Sequence, residues 1–171
     1  RARTILKRAD YGLSEMLLDA AQHGVGQQRV RFILVGRLGE EDGFLDDALK
    51  LPKDAPRTTV RDILGDDVGV HPGPGHPEEA RAYYLRTYRN RRAVWSVDEP
   101  CKTITRKAGY RNGEHKPHPS DTTDASRAPL LTWEQLAMLQ GFPPSWKWGE
   151  AKGDRNLMVA NGVPPPLAEA I

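Results

Sequence analysis

Residues 24–36 read GVGQQRVRFILVG, and the apolar run RFILV at 31–35 within it decides how the chain folds around it. The run has strand length and is rich in β-branched and aromatic side chains. A second apolar run, EMLLD at 15–19, precedes it, and only AAQHGVGQQRV (20–30) lies between them. Eleven residues are too few for the crossover helix that a parallel connection needs, so the two strands are expected to pair antiparallel, at the end of an open sheet. Arg29 and Arg31 stand two apart, and an extended backbone projects both to one side.

Working outward, residues 4–9 read as a helix end that stops at Tyr11-Gly12, glycine being a common stop. Downstream, Thr59 is suited to cap a short helix, VRDIL (60–64), with Asp62 at its third position and Gly65 ending it. After the turn-rich HPGPGHP (71–77), Pro77 suits a first helical position and Glu78 and Glu79 suit a positive helix end. A helix is therefore predicted from Pro77 to about Arg91, with Ala80, Tyr84 and Tyr88 on one stripe. CKTIT (101–105) reads as a short strand and residues 109–126 as loop. Thr132 and Gln135 form a capping box that opens another helix, closed by Gly141 before Phe142-Pro143-Pro144. The tail from Leu157 is predicted to begin as a strand, break at NGVPPP (161–166) and start a final helix. No internal repeat is visible.

With 171 residues, 38% hydrophobic and 28% charged, the chain has room for one core and is unlike a disordered or collagenous sequence. Sixteen Gly and fourteen Pro predict a loop-rich middle, and the single cysteine, Cys101, leaves no internal disulfide and fits a reducing compartment. No apolar run approaches the roughly 20 residues of a bilayer span, and no signal peptide precedes the first helix, so a soluble cytoplasmic protein without membrane contact is expected. The chain begins at Arg1 rather than Met, which raises the expectation of a fragment, a processed product or a trimmed chain.

The net charge of +2 hides a segregation. Residues 40–67 carry nine acids against four bases, and residues 81–116 carry ten bases against three acids. Tyr83, Tyr84, Tyr88, Trp95 and Tyr110 interleave the basic stretch, a mixture that suits phosphates and bases. Charge alone is equally compatible with a solvated basic helix and loop.

Three segments are more specific. They are residues 24–36 quoted above, RAPLLTWEQLAMLQGFP (127–143) and NGVPPPLAEAI (161–171). In this order, separated by a variable basic region, they resemble motifs VIII, IX and X of the DNA (cytosine-5) methyltransferases. The family places a target recognition domain between motifs VIII and IX with a Thr-Leu or Thr-Ile pair in it, and Thr103-Ile104 resembles that pair. Residues 59–67 resemble the usual lead-in to that domain. Two departures stand out. Gly26 occupies the place of the usual proline before the motif VIII glutamine, which is expected to loosen the turn. Ala160-Asn161-Gly162 replaces the usual Gly-Asn-Ala or Gly-Asn-Ser.

The resemblance implies an α/β fold. Residues 1–40 would be the end of the catalytic domain, contributing the terminal antiparallel strands of a Rossmann-like sheet that serves S-adenosylmethionine. Residues 41–126 would be a small irregular α+β target recognition domain, and residues 127–171 the return to the catalytic domain, ending in its last helix. It implies methyl transfer from S-adenosylmethionine to C5 of a flipped cytosine in double-stranded DNA, in a nucleoid-associated restriction-modification setting. Such chemistry needs a thiolate at C6, an acid near N3 and a bound donor. The family supplies these from a Pro-Cys motif, a Glu-Asn-Val motif and a Gly-rich turn, all ahead of motif VIII, and none occurs at that place in this chain. The chain therefore resembles the back half, inactive without the half carrying motifs I, IV and VI, in cis or as a separate subunit.

By the same resemblance Arg31, with Arg29, holds the carbonyl side of the flipped cytosine, and Gln27 lies near the flipped nucleotide. A guanidinium suits that role because it stays charged and donates in a fixed fork. Thr103 and Ile104 would sit by the backbone of the extruded nucleotide. Thr105, Arg106 and Lys107 would follow into the major groove, with Arg106 able to fork onto guanine and Lys107 on phosphate. Asn161 and Val163 would close the donor's methionine end. The plainer readings are charges at a strand end, a solvated basic loop and a turn asparagine. Leu136 and Leu139 of motif IX are expected in the core, and Trp133, Trp146 and Trp148 are expected to pack.

Cys101 follows a proline, as the family nucleophile does, but it comes after motif VIII and no long buried strand precedes it, so it is not read as catalytic. Cys101, His115 and His118 have C-x13-H-x2-H spacing, which matches no zinc finger, and no metal is expected. Two other functions fit the residues. One is a non-catalytic DNA-binding or regulatory subunit with the same fold, which would show no turnover for Arg31→Ala to abolish. The other is a basic RNA-binding module indifferent to DNA sequence.

Overall fold

Both apolar runs lie inside longer strands in a computed structural model of the chain, which describes residues 1–49, 51–86, 91–111, 113, 116–149 and 155–171. Strand β1 (Tyr11–Asp19) pairs antiparallel with β2 (Val30–Leu38), in register from Tyr11 opposite Leu38 to Asp19 opposite Val30. The two-residue alternation gives this ribbon two unlike faces. Leu18, Met16 and Ile33 pack with Val25, Leu49 and Leu167, whereas Leu17 and Phe32, directly opposite one another, are 70% and 59% exposed.

Helix α1 (Ala2–Arg8) ends sooner than its sequence suggested. Asp10, at φ 63°, makes the turn into β1. Gly12 is not a stop: it lies in β1, where a Cβ would stand 2.2 Å from the Glu40 carbonyl oxygen. The short α2 (Asp46–Leu49) buries Leu49, and α3 (Val60–Leu64) has the expected Thr59–Asp62 capping box. Helix α4 (Trp133–Leu139) likewise has its Thr132–Gln135 box and buries Leu136 and Leu139 as expected.

The helix expected from Pro77 to Arg91 is absent over its described part. Ala80 N–H closes a turn onto Pro77 C=O at 3.0 Å, and β3 (Ala82–Tyr84) pairs antiparallel with β4 (Val94–Ser96). Residues 87–90, which include Tyr88, lie outside the described residues. The physical reason is the run Ala82-Tyr83-Tyr84-Leu85, buried throughout. Tyr83 and Leu85 enter the main core and Ala82 and Tyr84 a second cluster, a period of two that serves a strand between two cores.

Residues 101–105 form no strand either. Cys101 makes a single parallel bridge to Gln27, and the chain then turns so that Ile104 is buried. The tail starts as helix α5 (Arg155–Asn161), not as a strand, and buries Val159 and Ala160; α6 (Pro165–Glu169) follows. The main core joins α3, β3, β4, the 101–108 segment, α4 and α5. Among the described residues no helix is long and apolar enough to cross a membrane.

Candidate functional site

The glutamine-rich turn before β2 is fastened to the 101–104 segment by five hydrogen bonds. Cys101 N–H donates to Gly26 C=O at 2.8 Å, and Gln28 N–H donates to Cys101 C=O at 2.7 Å. Ile104 N–H donates to Gln27 Oε1 at 2.8 Å, Thr103 Oγ1 donates to Gln28 C=O at 3.1 Å, and Lys102 Nζ donates to Gln28 Oε1 at 2.7 Å. Gln27 is wholly buried, and its Nε2 finds no partner. From there its side chain holds the backbone of the Thr103-Ile104 pair.

Gly26 explains how the turn approaches so closely. A Cβ at this residue would lie 2.8 Å from Leu139 Cδ2 and 2.9 Å from Ile63 Cγ1. The glycine allows tight packing between α3 and α4 rather than loosening the turn.

Arg29 continues from this clamp. Its N–H donates to Asp19 Oδ1 at 3.1 Å, and its Nη1 donates to Ala160 C=O at 3.1 Å, at the end of α5 beside Asn161. Burial first, and repulsion from Arg31 second, hold the Arg29 guanidinium below its ordinary pKa. Arg31 itself is exposed, with Nη1 donating to Val30 C=O at 2.8 Å. Thus Gln27, Arg29, Thr103, Ile104 and the α5 terminus are gathered within one bonded network.

Asn161 and Val163 are both exposed at the turn between α5 and α6. Val163 lines a cavity of about 790 Å³ with Phe142, Trp146, Trp148 and Met158. Trp146 and Trp148 meet Phe142 edge-on at 5.1 and 4.9 Å, and Trp133 meets Trp148 at 5.9 Å, so these rings do pack. Motif IX and motif X touch through glycines. A Cβ on Gly141 would lie 2.6 Å from Pro166, and one on Gly162 would lie 2.8 Å from Phe142. That close fit gives the unusual Ala160-Asn161-Gly162 order a packing reason.

Gln140, buried at the end of α4, donates from Nε2 to Val159 C=O. It ties motif IX to the helix end that receives Arg29. Neither Gln140 nor Gln28 nor Lys102 was visible as a site residue in the sequence; glutamine next to a helix-ending glycine was the only available signal for the first.

The basic stretch is sorted by its partners. Arg92 forks onto Glu99 at 3.2 and 2.8 Å and lies 4.3 Å from the centroid of a Trp95 ring that Lys102 also faces at 5.1 Å. Arg111 stacks on Tyr84 at 4.8 Å and donates to the carbonyls of Ala125 and Ala128. These cations hold the fold. Thr105, Arg106 and Lys107 are exposed on the turn beyond Ile104. Burial pushes the Cys101 thiol up to about 12, the opposite of an activated thiolate. His115 lies outside the described residues, among which no group of three His, Cys, Asp or Glu is arranged to hold a metal.

The family model of the C-5 cytosine-specific DNA methylases matches residues 76–171. The chain belongs to this family. It is 35% identical over 164 residues to the Type II methyltransferase M.HindV of Haemophilus influenzae, covering 94% of this chain and 51% of the relative. Against the Type II methyltransferase M.HgiDI of Herpetosiphon aurantiacus the identity is 32% over 168 residues, covering 98% and 52%. The chain thus spans about half the length of the curated relatives it matches. Its fold is similar to that of the S. pombe Dnmt2 methyltransferase (TM-score 0.60, 16% identity, covering 99% of this chain and 58% of that one). A mutant of Spodoptera frugiperda DNMT2 is similar as well (TM-score 0.53, 14% identity, covering 96% and 58%).

Proposed function

We propose that this chain is the DNA-recognition and C-terminal portion of a DNA (cytosine-5) methyltransferase, working with a half that carries motifs I, IV and VI in cis or as a separate subunit. The observation that carries this reading is the continuous bonded path from the Thr103-Ile104 pair through Gln27 and Gln28 to Arg29 and on to Ala160. That path supports a single wall on which recognition turn, cytosine-facing Arg31 with its neighbour Arg29, and donor-facing turn keep fixed spacing. Residues 41–126 would form most of the recognition domain, and residues 1–40 and 127–171 the catalytic part.

In this reading Arg31, exposed and charged, faces the carbonyl side of the flipped cytosine and stabilises charge as a thiolate from the other half adds at C6. Arg29 acts through position: anchored to Ala160, it keeps like charge beside Arg31 and holds β2 against α5. Gln27, being buried, positions Thr103 and Ile104 rather than touching the nucleotide.

S-adenosylmethionine, when bound, supplies the methyl group. The residues present fit one side of its site, since Val163 lines the aromatic cavity and Asn161 is exposed at the end of α5 two residues before it. No Gly-rich strand-to-helix turn of the Phe-x-Gly-x-Gly kind occurs in the 171 residues, so most of the donor's contacts would come from the other half.

Arg31→Ala tests the assignment. With the front half of a Type II relative supplied, the variant should lose turnover by about 100-fold or more while keeping DNA affinity within a few-fold. Turnover equal to the parent would remove Arg31 from the chemistry. No turnover from the parent itself would favour the non-catalytic subunit.

A further inference from the structure

This inference rests on the DNA-recognition reading above and names a contact residue within it. Of the five aromatic residues that interleave the basic stretch, Tyr83, Tyr84 and Trp95 are buried, and Tyr88 lies outside the described residues. Tyr110 is different: it is 49% exposed. Two successive turns carry it, Ala108 N–H closing onto Thr105 C=O at 2.9 Å and Tyr110 N–H onto Lys107 C=O at 3.1 Å. The turns are anchored through the two residues that precede the tyrosine. Ala108 is buried in the main core, and Gly109 approaches so near that a Cβ would stand 3.2 Å from Asn156 Oδ1 of α5.

The cation beside it in sequence does not cover the ring, because Arg111 is turned onto Tyr84. Among the described residues no other ring stacks on Tyr110. A large flat side chain is thus held at the surface on a pair of hydrogen-bonded turns whose remaining exposed members are Thr105, Arg106 and Lys107.

We propose that Tyr110 is a DNA-contacting residue of the recognition turn, its ring packing against a sugar or a base edge of the duplex next to a phosphate that Lys107 neutralises. An aromatic face contributes contact area that is tolerant of sequence, whereas a lysine contributes a salt-dependent term. The two contributions therefore separate experimentally.

The test is equilibrium binding of the whole 171-residue chain to a short fluorescein-labelled DNA duplex of mixed sequence, followed by anisotropy over a range of salt. Tyr110→Ala should weaken binding by about 5-fold or more at every salt concentration and leave the salt slope unchanged. Tyr110→Phe should keep parental affinity. Lys107→Ala should reduce the slope by about 0.9. Equal binding by Tyr110→Ala and the parent overturns the proposal, as does Tyr110→Phe losing as much as Tyr110→Ala, which would make the hydroxyl the contact. Preference for a single-stranded RNA of the same length over the duplex would overturn it too. If the parent bound no DNA, the underlying recognition reading would fail, an outcome distinct from the failure of Tyr110 alone. Unchanged melting of Tyr110→Ala checks that the fold is intact.

Discussion

Gln27 and Cys101 face each other across one bridge, and each has a measurable signature. Ile104 N–H is buried and has the Gln27 oxygen as its acceptor. Gln27→Leu should therefore cost about 1–3 kcal/mol in urea unfolding, because it strands a buried donor. Gln27→Glu keeps the acceptor and should retain recognition-turn geometry better, at the expense of a buried charge. The Cys101 thiol is raised from its ordinary 9.0 to about 12 by burial. The folded state thus prefers the neutral thiol. Its contribution is complete below pH 9 and is lost as pH rises from there towards 12, where the unfolded chain ionises first. The stability difference between the parent and Cys101→Ala should shrink over that window and stay level below it. In neutral solution, thiol reagents should label Cys101 only on unfolding.

At the scale of elements, the sequence was most legible where a side chain satisfies its own helix end. Both capping boxes, Thr59–Asp62 and Thr132–Gln135, form as read, because their information is local. Thr132→Ala should destabilise the chain by about 1 kcal/mol, measured by the same unfolding experiment. The antiparallel β1–β2 pair was legible from run length and connection length. The segment after Pro77 was not, because its helix-like opening is overridden by two cores that bury alternate residues of 82–85. The tail was misread for the opposite reason: an apolar stretch too short for its period to show is made helical by packing against α4 and Trp133. Gly65 and Gly141 were legible as stops, Gly12 was not one, and the contacts of these glycines were opaque. Gly141, at φ 83° and against Pro166, should be among the least replaceable, with Gly141→Ala costing about 1–3 kcal/mol by the same unfolding assay.

At the scale of the whole molecule, the resemblance pointed to particular residues, but not to their bonding. Gln27, Arg29, Thr103 and Asn161 were nominated by resemblance. That Gln27 is interior, that Arg29 reaches Ala160, and that Gln28 and Lys102 complete the clamp required coordinates, since these partners lie more than 70 residues apart in sequence or on a helix the sequence did not announce. Leu17 and Phe32 form an exposed apolar face on the β1–β2 ribbon, and Val163 stands beside an aromatic cavity, both open to the contacts that the proposed second half would make. The most direct test is to mix the purified chain with a polypeptide carrying motifs I–VI of a Type II relative and follow transfer of tritiated methyl from S-adenosylmethionine to duplex DNA. The account predicts incorporation at cytosine C5 only when both polypeptides are present. Incorporation by the isolated chain would contradict it, as would an inert mixture in which both partners are folded and bound to each other.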